Sequence, residues 1–128
     1  MNDKEFNKLK SKIHKIIDKW SPMLGLKWWT VKIYYERVNC TDISRHDDGY
    51  SRAGAQTHVQ YPYKTAQIYF YLPDLKSLGK QELENLVIHE LIHILVNEMR
   101  FFNEGIDHEE RVVSDLTSAF IWTYKRYK

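Results

Sequence analysis

The strongest chemical signal in the 128 residues lies in the stretch Val87-Ile88-His89-Glu90-Leu91-Ile92-His93-Ile94-Leu95. Two histidines four apart, with a glutamate directly after the first, make an H-E-x-x-H pattern. A chain with this content of His and Glu carries such a pattern by chance in roughly 2% of cases. On a helix, residues i and i+4 share one face, one turn apart. Two imidazole nitrogens on that face can reach a single Zn²⁺ at about 2.0–2.1 Å. Glu90 sits beside that axis, where it can take a proton from a metal-activated water rather than bind the metal itself. Leu86, Val87, Ile88, Leu91, Ile92, Ile94 and Leu95 surround these groups with apolar side chains. Ionisable groups are costly in such a setting unless they are partnered. The plain alternative, two surface histidines without a metal, is hard to fit to those neighbours.

A catalytic zinc site takes three protein ligands and keeps one position open. Cys40 is the only thiol and lies far upstream. The nearer candidates follow the motif: His108, Glu109 and Glu110. On a helical wheel, the apolar stripe of the last segment centres on Val113, Leu116 and Phe120. Glu109 falls near its centre. Glu110 falls on its edge, in line with Val113 and Thr117. Each glutamate also has a structural alternative. Glu110 can be the N3 member of a capping box begun by Asp107, and Glu109 can complement the helix dipole. The residues alone leave all three candidates open.

The elements that must position these groups are read from periodicity. Residues 3–20 form an amphipathic helix with Phe6, Leu9, Ile13, Ile16, Ile17 and Trp20 on one face. Asn2 and Glu5 resemble a capping box, and Ser21-Pro22 with Gly25 end the helix. Lys4, Lys8, Lys12, Lys15 and Lys19 mostly occupy the other face, as a solvated face would have them. Residues 28–38 alternate as a strand, with Trp29, Val31, Ile33 and Tyr35 inward. A polar loop over 39–52 follows, with Asp47-Asp48-Gly49 as a turn signal. Residues 53–61 and 64–72 pair as a hairpin. Residues 80–100 form a long helix that carries the motif. A loop over 101–106 leads to a last helix from about Asp107 to Lys128, with Val112, Val113, Leu116, Phe120 and Tyr124 inward. The expected class is α+β: one domain over 1–128 with a small three-stranded mixed or antiparallel sheet.

Composition narrows the field. Nineteen basic residues against seventeen acidic give a net charge of +2, too little for bulk nucleic-acid binding. One cysteine excludes a disulfide framework within the chain. No segment approaches the roughly 20 apolar residues of a membrane span. The first residues lack the charged-then-apolar layout of a signal peptide, so a cytoplasmic protein is the expectation.

From the strand at 64–72 to the helix at 107–124, and most of all in VIHELIHIL, the sequence resembles the zincin metallopeptidases that use a glutamate as third ligand. It is similar to small phage and bacterial members of the ImmA/IrrE and SprT types. The resemblance implies a first amphipathic helix, a small sheet, a metal helix and a ligand-bearing helix. It implies His89 and His93 as zinc ligands, Glu90 as general base, and hydrolysis of a peptide bond in a protein or peptide substrate. In several such families the ligand glutamate precedes apolar or small residues by three and by six. Glu110 with Val113 and Leu116 fits, which puts Glu110 ahead of Glu109. The resemblance also implies that 64–72 forms the edge of a cleft, where Gln67, Tyr69 and Tyr71 would meet substrate. His58, Tyr61 and Tyr63 are candidate donors to a developing oxyanion, and His108 a candidate neighbour of the ligands. Two other readings stand beside this one. The first is a non-catalytic, zinc-stabilised interaction or regulatory module. The second is a nucleic-acid contact through the lysine-rich first helix, which the near-neutral charge disfavours.

Overall fold

The computed structural model describes residues 1–40, 50–52, 54–60, 63–102 and 106–127; for 50–52, 98–102 and 106–108 it describes the backbone course alone. Helix α1 spans Asp3–Met23. Its N-terminus is closed as the sequence expects: the Asn2 side chain accepts from the Glu5 N–H at 2.8 Å and donates to the Glu5 carboxylate at 2.8 Å. Phe6, Leu9, Ile13, Ile17 and Trp20 are its buried face. The helix runs through Ser21-Pro22 and ends one turn later than expected. Gly25, at φ +77°, makes the stop. Its N–H bonds the Pro22 carbonyl, and the Leu26 N–H bonds the Ser21 carbonyl, so two otherwise orphaned carbonyls are satisfied.

Four strands follow: β1 Thr30–Glu36, β2 Tyr50–Arg52, β3 Ala55–Gln60 and β4 Thr65–Tyr71. The three longer ones are the expected strands. The three-residue β2 was expected to be loop and adds a fourth, giving the order β1-β4-β3-β2. Three residues carry too little periodicity to be read from sequence. The sheet is mixed: β1 is parallel to β4, while β3 is antiparallel to both β4 and β2. Ala66, Ile68 and Phe70 of β4 are buried against the helices, and Val31, Ile33 and Tyr35 of β1 pack beside them. Lys32, Tyr34 and Gln67 point to the opposite face and are exposed.

One expectation fails here. Segment 64–72 is not an open edge, because β4 is hydrogen-bonded to β1 on one side and to β3 on the other. Its main-chain groups have no capacity left for an added strand. Tyr71 is buried with its hydroxyl donating to Gln56 at 3.1 Å, and Tyr69 stacks on Tyr34 at 4.8 Å. Neither meets a cleft over the metal helix.

A short helix α2 (Leu72–Leu75) turns the chain into α3 (Lys80–Phe102). Every residue of α3 from Leu86 to Ile94 is buried. That is burial all round, as the apolar run demands. Helix α4 spans Ile106–Arg126. Val113 is its fully buried apolar residue, with Glu109 and Thr117 also buried. Phe120, expected inward, is 37% exposed. By that point α4 has reached the start of α3, where Lys125 bonds Gln81, and its next turn leans Tyr124 onto Trp20 of α1 at 5.2 Å. Little is left to cover Phe120. Among the described residues no helix is long and apolar enough to cross a membrane.

Candidate metal centre

Helix α3 places His89 and His93 one turn apart, 2% and 0% exposed, with ring centroids 4.8 Å from each other. Helix α4 delivers the carboxylates. Glu110 Oε2 lies 3.1 Å from His89 Nε2, and Glu110 Oε1 lies 2.9 Å from His93 Nε2. Glu109 takes the other side of the second ring, with Oε2 2.8 Å from His93 Nδ1. The two glutamates therefore divide the work. Glu110 faces both Nε2 atoms, and Glu109 holds the far nitrogen of one imidazole.

His89, His93 and Glu110 form a group that can hold a metal ion, with their donor atoms all within 4.8 Å of one another. A tetrahedral site with bonds of about 2.0–2.1 Å separates its donors by about 3.3 Å, so the 2.9 and 3.1 Å spacings are near the required size. Two imidazole nitrogens and one carboxylate oxygen suit a divalent first-row metal ion. A carboxylate on the far nitrogen of a ligand histidine is the usual outer support of such a site. The donor set therefore fits a metal.

Without an ion the charges settle on each other. The bonds from His89 and His93 hold the Glu110 carboxyl well below the usual carboxylate range. Burial disfavours charge on His93, but the bonds from Glu109 and Glu110 outweigh it and hold the imidazole up at about 9.

Glu90 is fully buried beside this group. Its Oε1 accepts from the Thr57 hydroxyl at 2.6 Å. Its Oε2 is buried with no hydrogen-bond partner among the described residues. Burial pushes the Glu90 carboxyl up, opposed by the neighbouring histidines and by Thr57. An orphaned carboxylate oxygen next to a metal-capable group is a place for a polar atom that is not part of the chain. His89 also lines a cavity of about 420 Å³ between α3 and α4, with Glu82, Asn85, Ser114 and Thr117.

The structure brings His89, Glu90, His93, Glu109 and Glu110 together. It does not bring His58, whose ring lies on the far face of the sheet against Tyr69. Tyr63 is 77% exposed in the β3–β4 connection. Tyr61 and the His108 side chain lie outside the described residues. The Asp107 side chain of the expected capping box also lies outside the described residues, while its backbone falls within α4, which begins at Ile106. Thr57 was missed by sequence reasoning. Its signal was strand alternation, since Thr57 falls in the inward set of β3 between Ala55 and Val59, where a hydroxyl needs a partner. Compared with protein-family models, with curated proteins and with solved structures, the chain matches none.

Proposed function

We propose that the chain is a zinc-dependent metallopeptidase of the glutamate-ligand zincin kind, acting on a protein or peptide substrate. The observation that carries this reading is the orphaned Oε2 of buried Glu90 beside the His89–His93–Glu110 group. A purely structural metal site has no use for a base held in that position. His89, His93 and Glu110 would hold the ion, and Zn²⁺ there supplies Lewis acidity, which polarises a carbonyl and acidifies a water near neutral pH.

The chain's own residues do the rest. Glu90 receives the proton of the attacking water on Oε2 and passes it to the departing amine. Thr57 donates to Oε1, which holds the carboxyl group and leaves Oε2 as the oxygen open to accept a proton. Burial makes Glu90 a stronger base than an exposed glutamate, closer to the working pH. Glu109 accepts from His93 Nδ1, which leaves Nε2 as the nitrogen that faces Glu110.

The complete burial of Glu90 favours one alternative, a zinc-stapled module that binds a partner and cuts nothing. One variant separates the two. Glu90→Gln keeps the shape and the three ligands. Wild-type protein should bind one zinc per chain by elemental mass spectrometry and degrade unfolded casein. The variant should bind zinc equally and lose at least about a hundredfold in rate. Equal rates in both proteins, or no casein cleavage by the zinc-loaded wild type, leave the stapled module standing. A wild type that refuses zinc removes the metal basis of both.

A further inference from the structure

A second concave surface lies away from the metal group, between α1 and the start of α3. It encloses about 330 Å³. Leu9, Ile16, Leu78 and Leu83 form an apolar floor, and Ile16 and Leu78 remain half-buried. Lys12 and Lys15 from α1, Lys76 from the α2–α3 connection and Lys80 at the start of α3 stand around the rim. All four are exposed, and none makes an ion pair among the described residues. The one acidic wall residue, Glu84, is already bound to the Trp20 indole N–H at 3.1 Å and to Lys19 at 3.4 Å. Four lysines against one glutamate leave +3 around this groove, more than the +2 of the entire chain.

We propose that this groove is a docking site for an acidic protein segment that inserts one large apolar side chain between α1 and α3. The floor selects the class of partner. A nucleic acid would use the lysines and leave the leucines without a match. A flat anionic membrane would touch the rim and leave the hollow empty. An acidic peptide with an aliphatic or aromatic anchor satisfies both, with the anchor in the apolar hollow and carboxylates on the rim lysines. Sequence periodicity accounts for Lys12 and Lys15 as a solvated face. It does not account for Lys76 and Lys80 converging on them from another element.

Leu78 gives the site a relation to the metal group. It lines this groove and also the cavity that reaches His89. A segment docked here is therefore held next to the cavity that His89 lines. The site itself does not depend on that group being catalytic.

Random dodecapeptides displayed on phage test it, selected on the whole chain and re-measured as labelled peptides by fluorescence anisotropy. The expected consensus has at least two carboxylates flanking one Leu, Ile, Met or Phe. The selected peptides should weaken at least about tenfold against Lys12→Glu/Lys80→Glu, and similarly against Ile16→Ser. All these substitutions sit at exposed or half-buried positions, so circular dichroism should show an unchanged fold. Glu90→Gln should bind as the wild type does, which keeps this result separate from the peptidase reading. A consensus without acids, affinity indifferent to the lysine reversals, or no saturation by about 1 mM each overturns the proposal. So does tighter, lysine-dependent binding of phosphatidylglycerol vesicles or of single-stranded DNA.

Discussion

Glu109 and Glu110 are neighbours on α4 but meet different nitrogens, and their loss should have different consequences. Glu109 meets His93 at Nδ1, the nitrogen turned away from Glu110, so Glu109→Gln should lower metal affinity by about 10–100-fold. Glu110→Gln removes a candidate ligand and should cost more than that. Competition with a chromophoric chelator measures both, and equal losses would refute the division of roles. The same ring sets a pH dependence. In the metal-free protein His93 holds its proton up to about 9, against an ordinary 6.5. Its contribution to stability is complete below about 6.5 and is lost as pH rises through about 9. A metal must expel that proton, so affinity should rise across the same window by up to about tenfold per pH unit. Calorimetry in buffers of different ionisation enthalpy should find proton release at pH 7.5, and none found would contradict the assignment. That His89, Glu90 and His93 lie together was legible in sequence, because their spacing is about one helical turn. The choice between the two glutamates was not, because it depends on how α4 crosses α3.

At the scale of elements, the turn between β2 and β3 decides where Thr57 points. Gly54 sits there with φ +96°, a conformation an L-residue rarely adopts. A Cβ at this position would also run into the Leu75 side chain. Leu75 is buried at 1% exposure and cannot swing aside. Gly54→Ala should therefore destabilise the fold by about 3 kcal/mol, from backbone strain and overpacking together. Urea unfolding tests this, and a change within about 0.5 kcal/mol would contradict the described turn. Sequence reasoning placed its turn signal at Asp47-Asp48-Gly49 instead, outside the described residues. The longer elements were legible because each has one dry face: α1 through Phe6 to Trp20, β1 through its alternating half-burial, α3 through its apolar run. Strand order was not. The pairing of β1 with β4 joins residues about thirty-five apart, Thr30 with Thr65, and no local pattern announces it. That pairing moves β4 from the edge to the interior.

For the whole molecule, the hydrophobic core and the metal group hold different parts. One cluster of buried apolar residues joins α1, the sheet and α3, and among the described residues of α4 Val113 alone belongs to it. Helix α4 is also attached through half-buried Val112, Leu116, Ile121 and Tyr124, through its two carboxylates on α3 and through the Lys125–Gln81 bond. Without a metal those carboxylates rest on His89 and His93. With one, Glu110 and the histidines share an ion that ties the two helices together. A ligand present at a hundred times its dissociation constant adds about 2.7 kcal/mol to the state that binds it. That gain should fall unevenly, because a helix lying at the margin of the core opens before the core does. Hydrogen exchange with and without a chelator reads the difference. Amides of α4 should exchange faster once the metal is removed, while those of β3, β4 and the Leu86–Ile94 part of α3 keep their protection. Equal loss of protection in α4 and in the sheet would mean that α4 folds with the core, and that the metal stabilises the domain as a single unit.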